Sequence, residues 1–137
     1  MKTIKHILII FVTLGVIGFV FVYFIAAGVN EKSVYTQDDF IKYHMLTDRD
    51  IEKIPKITRD YYFEYQPRDG YNPSSTIIFN HTLDASPLKN YLSSLGYERQ
   101  KPNFGDSEVW LLPSETTQST FYLWVDKAHN QIRLTKE

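Results

Sequence analysis

Catalysis requires a nucleophile, a base or a metal at workable spacing, and the residues able to supply them stand apart in this sequence. Cysteine is absent, which removes thiolate nucleophiles, thiolate metal sites, disulfides and a lipid-modified amino terminus. Ser74, Ser75, Ser93 and Ser94 fall in stretches that read as loop or helix, and none occupies a G-x-S-x-G elbow. His44, His81 and His129 are isolated from one another, without the paired spacing of a helical zinc site, and His6 precedes the apolar run described below. Asp48 and Asp50 flank Arg49 and could hold a divalent ion, yet the same acids suit the negative first turn of a capped helix. Asn80-His81-Thr82 fits a glycosylation acceptor but lies inside an apparent strand. No glycine-rich loop follows a strand, so a nucleotide phosphate has no cradle. The expectation is a protein that is not an enzyme, with no cofactor, no metal and no small-molecule substrate.

Residues suited to recognition are easier to find. The stretch QPRDGYNPSS, residues 66–75, joins two strand-like segments and carries Arg68, Asp69 and Tyr71 near its tip. Asp-Gly supplies a positive φ and the prolines stiffen the segment, so it is at least a turn; on a rigid sheet it is also a usual place for binding residues. Tyr62, Trp110, Tyr122 and Trp124 form a second set, since Tyr and Trp are enriched among binding hot spots. These seven residues are the candidate contacts for a protein partner.

The elements that must position them follow from pattern. Thr36-Gln37-Asp38-Asp39 and Thr47-Asp48-Arg49-Asp50 resemble capping boxes before two short helices, the second stopped by Pro55. RDYYFEYQ, residues 59–66, alternates Tyr61, Phe63 and Tyr65 with Tyr62, Glu64 and Gln66, which predicts a strand; residues 76–82 predict the next. Ser86-Pro87 predicts a helix with Ser86 as its N-cap, then Leu88, Tyr91, Leu92 and Leu95 on one face and Gly96 past the end. EVWLL, TFYLWVD and residues 131–136 predict three more strands. This order predicts an α+β fold, a small antiparallel sheet with one main amphipathic helix packed on it.

One helix covers one face of such a sheet. EVWLL and TFYLWV are nevertheless apolar at nearly every position, so both faces carry large side chains. Either the two short helices fold over the second face, or its aromatics lean on one another, or a partner covers it; alternation alone does not choose between the faces.

Ahead of the domain, Ile7 to Ala27 runs 21 residues without a charge. As a helix it spans about 31 Å, matching a hydrocarbon core of roughly 30 Å. A secretory signal has a shorter apolar region and small residues at its cleavage site, whereas Ile25 is badly placed for cleavage after Ala27. The expectation is an uncleaved single-pass anchor within residues 1–29 and an extracytoplasmic domain over residues 30–137. Lys2 and Lys5 precede the run, while Glu31 and Lys32 cancel just after it and Asp38 and Asp39 follow, which predicts a cytoplasmic amino terminus. Residues 30–137 hold 13 basic against 16 acidic side chains, a net charge of about −3. That balance argues against nucleic acid or anionic lipid as the main partner, both of which want a basic face.

The bare anchor, DIEKIPKITRDYYFEY, the Pro/Gly loop and LKNYLSSLGYERQ together resemble small inner-membrane-anchored proteins of enteric bacteria, several of which act as immunity proteins against a secreted toxin. The resemblance covers roughly residues 50–99. It implies an inner-membrane protein whose domain faces the periplasm and neutralises a toxin or effector by binding it, and no functional residue carries over from it. An accessory subunit of an envelope or secretion complex is the alternative expectation.

Overall fold

The computed structural model describes residues 2–68, 70, 72–113 and 119–137. It comprises two compact units, Met1–Glu31 and Lys32–Glu137.

The first unit is helix α1, Lys2–Val29. Every side chain from Thr3 to Phe24 is exposed, and the Thr13 hydroxyl is satisfied within the helix by donating to the Ile9 carbonyl at 2.8 Å. The 25 residues Thr3–Ala27 are long and apolar enough to cross a membrane, about 37 Å of helix. A helix of this kind near an amino terminus serves as a membrane anchor or as a signal sequence.

The second unit runs β1 (Ser33–Tyr35), α2 (Phe40–Leu46), α3 (Arg49–Glu52), β2 (Tyr61–Gln66), β3 (Ser74–Asn80), α4 (Ser86–Ser94), β4 (Glu98–Phe104), β5 (Ser107–Leu111), β6 (Thr120–Asp126) and β7 (Gln131–Lys136). The strands form one antiparallel sheet in the order β1-β2-β3-β7-β6-β5-β4. The expected α+β class and the five expected strands are present; β1 and β4 are additional, and both lie at sheet edges. Strand β4, ERQKPNF, is exposed at all but one position and contains Pro102, so it lacks the alternation that marks a half-buried strand.

The helix starts lie slightly off their expected places. The N-cap of α2 is Asp39, whose carboxylate accepts from the Lys42 N–H, and that of α3 is Asp48, accepting from the Asp50 N–H at 2.8 Å. Ser86 is not the N-cap of α4: that position is Ala85, which brings no side-chain bond. The upstream Asp84 carboxylate takes the Ser86 N–H at 3.0 Å instead, a local bond that satisfies an orphan helix donor from outside the helix. Gly96, at φ 89°, ends the helix.

Strand registers divide the sheet into two faces. One face carries Tyr35 and Phe63, Ile77 and Phe79, Ile132 and Leu134, Phe121 and Leu123, and Trp110. All three helices of the unit attach here. Tyr43 of α2 packs edge-on against Phe63, the Asp48 N–H before α3 donates to Ser75 Oγ, and Lys89 of α4 reaches Glu108 at 2.8 Å. Ile51, Leu88 and Leu92 are fully buried. The core therefore lies on one side of the sheet.

Beyond β6, the turn to β7 is organised by Asp126. Its carboxylate accepts the N–H groups of Ala128 and His129 and lies 2.6 Å from His129 Nδ1, while Asn130 takes a positive φ of 54°. Burial raises the Asp126 pKa, but the His129 side chain and these N–H groups outweigh it and hold the carboxyl below its ordinary range. A depressed folded pKa gives stability that is present above the ordinary carboxyl value and lost as pH falls through the lowered one. Acid titration should therefore destabilise the wild-type domain more steeply than Asp126→Asn, as read by unfolding midpoints across the acid range.

Candidate functional site

The second face of the sheet carries no helix among the described residues. Its side chains form cross-strand rows. One runs Tyr62, Ile78, Arg133, Trp124; the next runs Glu64, Thr76, Thr135, Tyr122, Val109. Every described hydrogen bond and ion pair of these residues' side chains stays within the sheet. Arg133 Nη2 meets Glu64 Oε2 at 2.6 Å, and since β2 and β7 flank β3, this link crosses β3 on the side of Ile78 and Thr76. Thr76 and Thr135 join through their hydroxyls at 2.9 Å. Ile78 is sealed at 0% exposure and Thr76 at 6%, whereas Tyr62, Tyr122, Trp124, Val109 and Leu111 are half-buried. At the rim, Phe104 is 74% exposed, with its ring 6.0 Å from that of Tyr122.

Four of the seven residues singled out from the sequence gather on or beside this face. Tyr62, Tyr122 and Trp124 stand on it. Arg68, in the loop after β2, forms an ion pair with Glu137, and both lie close enough to Tyr122 to act on its phenol. Burial and the Glu137 charge raise the Tyr122 pKa while Arg68 opposes them, so the phenol keeps its proton as a hydrogen-bond donor at neutral pH. Asp69 and Tyr71 lie outside the described residues.

Trp110 is elsewhere. Its register partners are Phe121 and Arg99, which put it on the helix-covered face at 6% exposure. Among the described residues its buried indole N–H has no partner, nor has Glu108 Oε2 two residues earlier. Conversely, Val109, Leu111, Phe104 and the Arg133–Glu64 pair belong to the open face and were not singled out from the sequence. Arg133, one cation between the apolar Ile132 and Leu134, was the available signal.

The residues considered for chemistry are dispersed. His44 packs against the rings of Phe40 and Tyr43, His81 faces Asp60 at 3.1 Å and His129 faces Asp126. Among the described residues, no three metal-ligating side chains come together. The Asn80 side chain is engaged at both ends, donating to Asp60 at 3.0 Å and accepting from Gln131 at 2.7 Å.

On the helix-covered side a cleft of about 510 Å³ opens among Met45, Thr47, Asp48, Tyr65, Ser75 and Lys136. Its cation is already matched: Lys136 Nζ lies 2.9 Å from Asp48 and 2.7 Å from Asp50. Burial lowers the Lys136 pKa, but hydrogen bonds and charge from Asp50 and Asp48 outweigh it and raise the ammonium above its ordinary range. The stability this contributes is present at neutral pH and lost as pH rises through the raised value. Lys136→Met keeps the apolar stem and strands two carboxylates, so it should cost about 1–3 kcal/mol. Urea unfolding of both proteins at neutral pH checks this.

No protein family, curated protein or solved structure matches this chain.

Proposed function

We propose that residues 32–137 form a non-catalytic protein-recognition domain, tethered by α1 as a permanent single-pass anchor, and that the open sheet face seats the partner. The observation carrying this reading is the uncovered face on which Tyr62, Tyr122 and Trp124 surround the sealed Ile78 and the Arg133–Glu64 pair. Rigid, half-buried aromatics on a sheet offer contact area at little cost in conformational entropy, and an internal ion pair limits the charge a partner must desolvate. In the fuller form of the proposal, the amino terminus is cytoplasmic, the domain is periplasmic at a bacterial inner membrane, and the partner is a toxin or effector that the domain neutralises.

The test is an affinity pull-down from membranes of the native host, using the full-length chain tagged after Glu137. Recovery of one toxin-like protein at near-equal amount, together with protection of cells by the intact chain and not by one lacking residues 1–28, supports the immunity reading. Recovery of several subunits of one membrane assembly would move the reading to an accessory subunit. Recovery of nothing above background removes it.

A further inference from the structure

Helix α2, FIKYHML, is apolar on two opposite sides. Tyr43 and Leu46 point into the core. At 100° per residue, Phe40, Ile41, His44 and Met45 point the other way, and Phe40 is 71%, Ile41 58% and Met45 44% exposed. Exposed apolar side chains grouped on one side of a helix mark a surface for an apolar surround, and among the described residues nothing covers this outer side. We propose that α2 lies in the membrane–water interface, with Phe40, Ile41 and Met45 immersed at the boundary between headgroups and acyl chains. The inference rests on reading α1 as a permanent anchor.

Chain length selects lipid as the occupant. Three residues, 30–32, connect the end of α1 to β1, an extended reach of about 13 Å, and four more, 36–39, connect β1 to α2. The bilayer is thus the apolar phase that the covalent chain itself brings near this helix. Because the anchor has already made the contact intramolecular, a patch of three side chains suffices where a free peptide of this length would not bind. Lys42, beside the patch, lies 3.6 Å from the Asp39 carboxylate, so its charge is matched within the chain and the apolar side chains carry the contact.

The absence of cysteine allows single reporter sites in the full-length chain. Val16→Cys, Ile41→Cys and Lys127→Cys, each carrying a nitroxide, would be reconstituted in vesicles of phosphatidylethanolamine and phosphatidylglycerol. Collision rates with oxygen, which concentrates in lipid, and with a water-soluble nickel chelate would then be read for each. The expected result is a label at 16 deep in the bilayer, a label at 127 open to the chelate, and a label at 41 with several-fold fewer chelate collisions than 127 and more oxygen collisions. A deep label at 16 with 41 as open to the chelate as 127 overturns the interfacial placement while leaving the anchor intact. A label at 41 shielded from both reagents overturns it in favour of a protein contact. A label at 16 open to the chelate removes the anchor and this inference with it.

Discussion

Phe63→Ala should be the most damaging single substitution in the domain, with an expected loss of about 3–5 kcal/mol. Phe63 is fully buried at the centre of β2, where β1, α2 and β2 converge on one ring. Tyr35 stacks on it at 5.7 Å and 16°, Tyr43 meets it edge-on at 5.2 Å, and Tyr61 does so at 5.9 Å. Lys56 Nζ lies 5.7 Å from its centroid. Removing the ring leaves a cavity walled by rigid aromatics, two of them fixed in strands, so the site has little freedom to collapse and the cavity cost is paid nearly in full. Domains of about this size are stable by only 5–15 kcal/mol, so the variant should unfold at much lower urea than wild type. Tyr61→Ala, which truncates a half-buried neighbour on the same strand, should cost distinctly less. Near-equal midpoints for the two would mean that Phe63 is not the keystone its contacts describe.

Phe63 also illustrates how much of the fold was legible. Alternation in RDYYFEYQ placed Phe63 and Tyr65 on one face, and both are buried. Helix α4 was legible from its apolar spacing, the further strands from short apolar runs bounded by turn residues, and the N-terminal run from its length without a charge. Strand β4 was not, because an exposed edge strand needs no such period. The partition of aromatics between faces was half legible. Tyr122 and Trp124 share a face by alternation, but whether Trp110 joins them depends on the pairing of Trp110 with Phe121, and register is a long-range property. The same holds for Asp48 and Asp50. Their capping role was visible locally, whereas their cation, Lys136, lies 88 and 86 residues away. That α2 and α3 share a face with α4, leaving the other open, is likewise information that only tertiary packing contains.

On that open face, Trp124→Thr and Tyr62→Thr should each weaken partner binding by about 2 kcal/mol or more, roughly 30-fold, the cost of truncating an aromatic hot spot. Threonine keeps the β-branched character that strands favour, and both side chains are half-buried on the side away from the core, so unfolding midpoints should move far less than for Phe63→Ala. The two residues stand at opposite ends of one cross-strand row, with Ile78 and Arg133 between them. A partner spanning the face must touch both, whereas one gripping an edge touches one. Titration calorimetry of both single variants and the double variant against the recovered partner reads this directly. Losses at both positions place the partner across the face, and a loss at Trp124 alone confines it to the half bearing Tyr122 and Arg68. Unchanged affinity in the double variant would exclude a partner seated on this row.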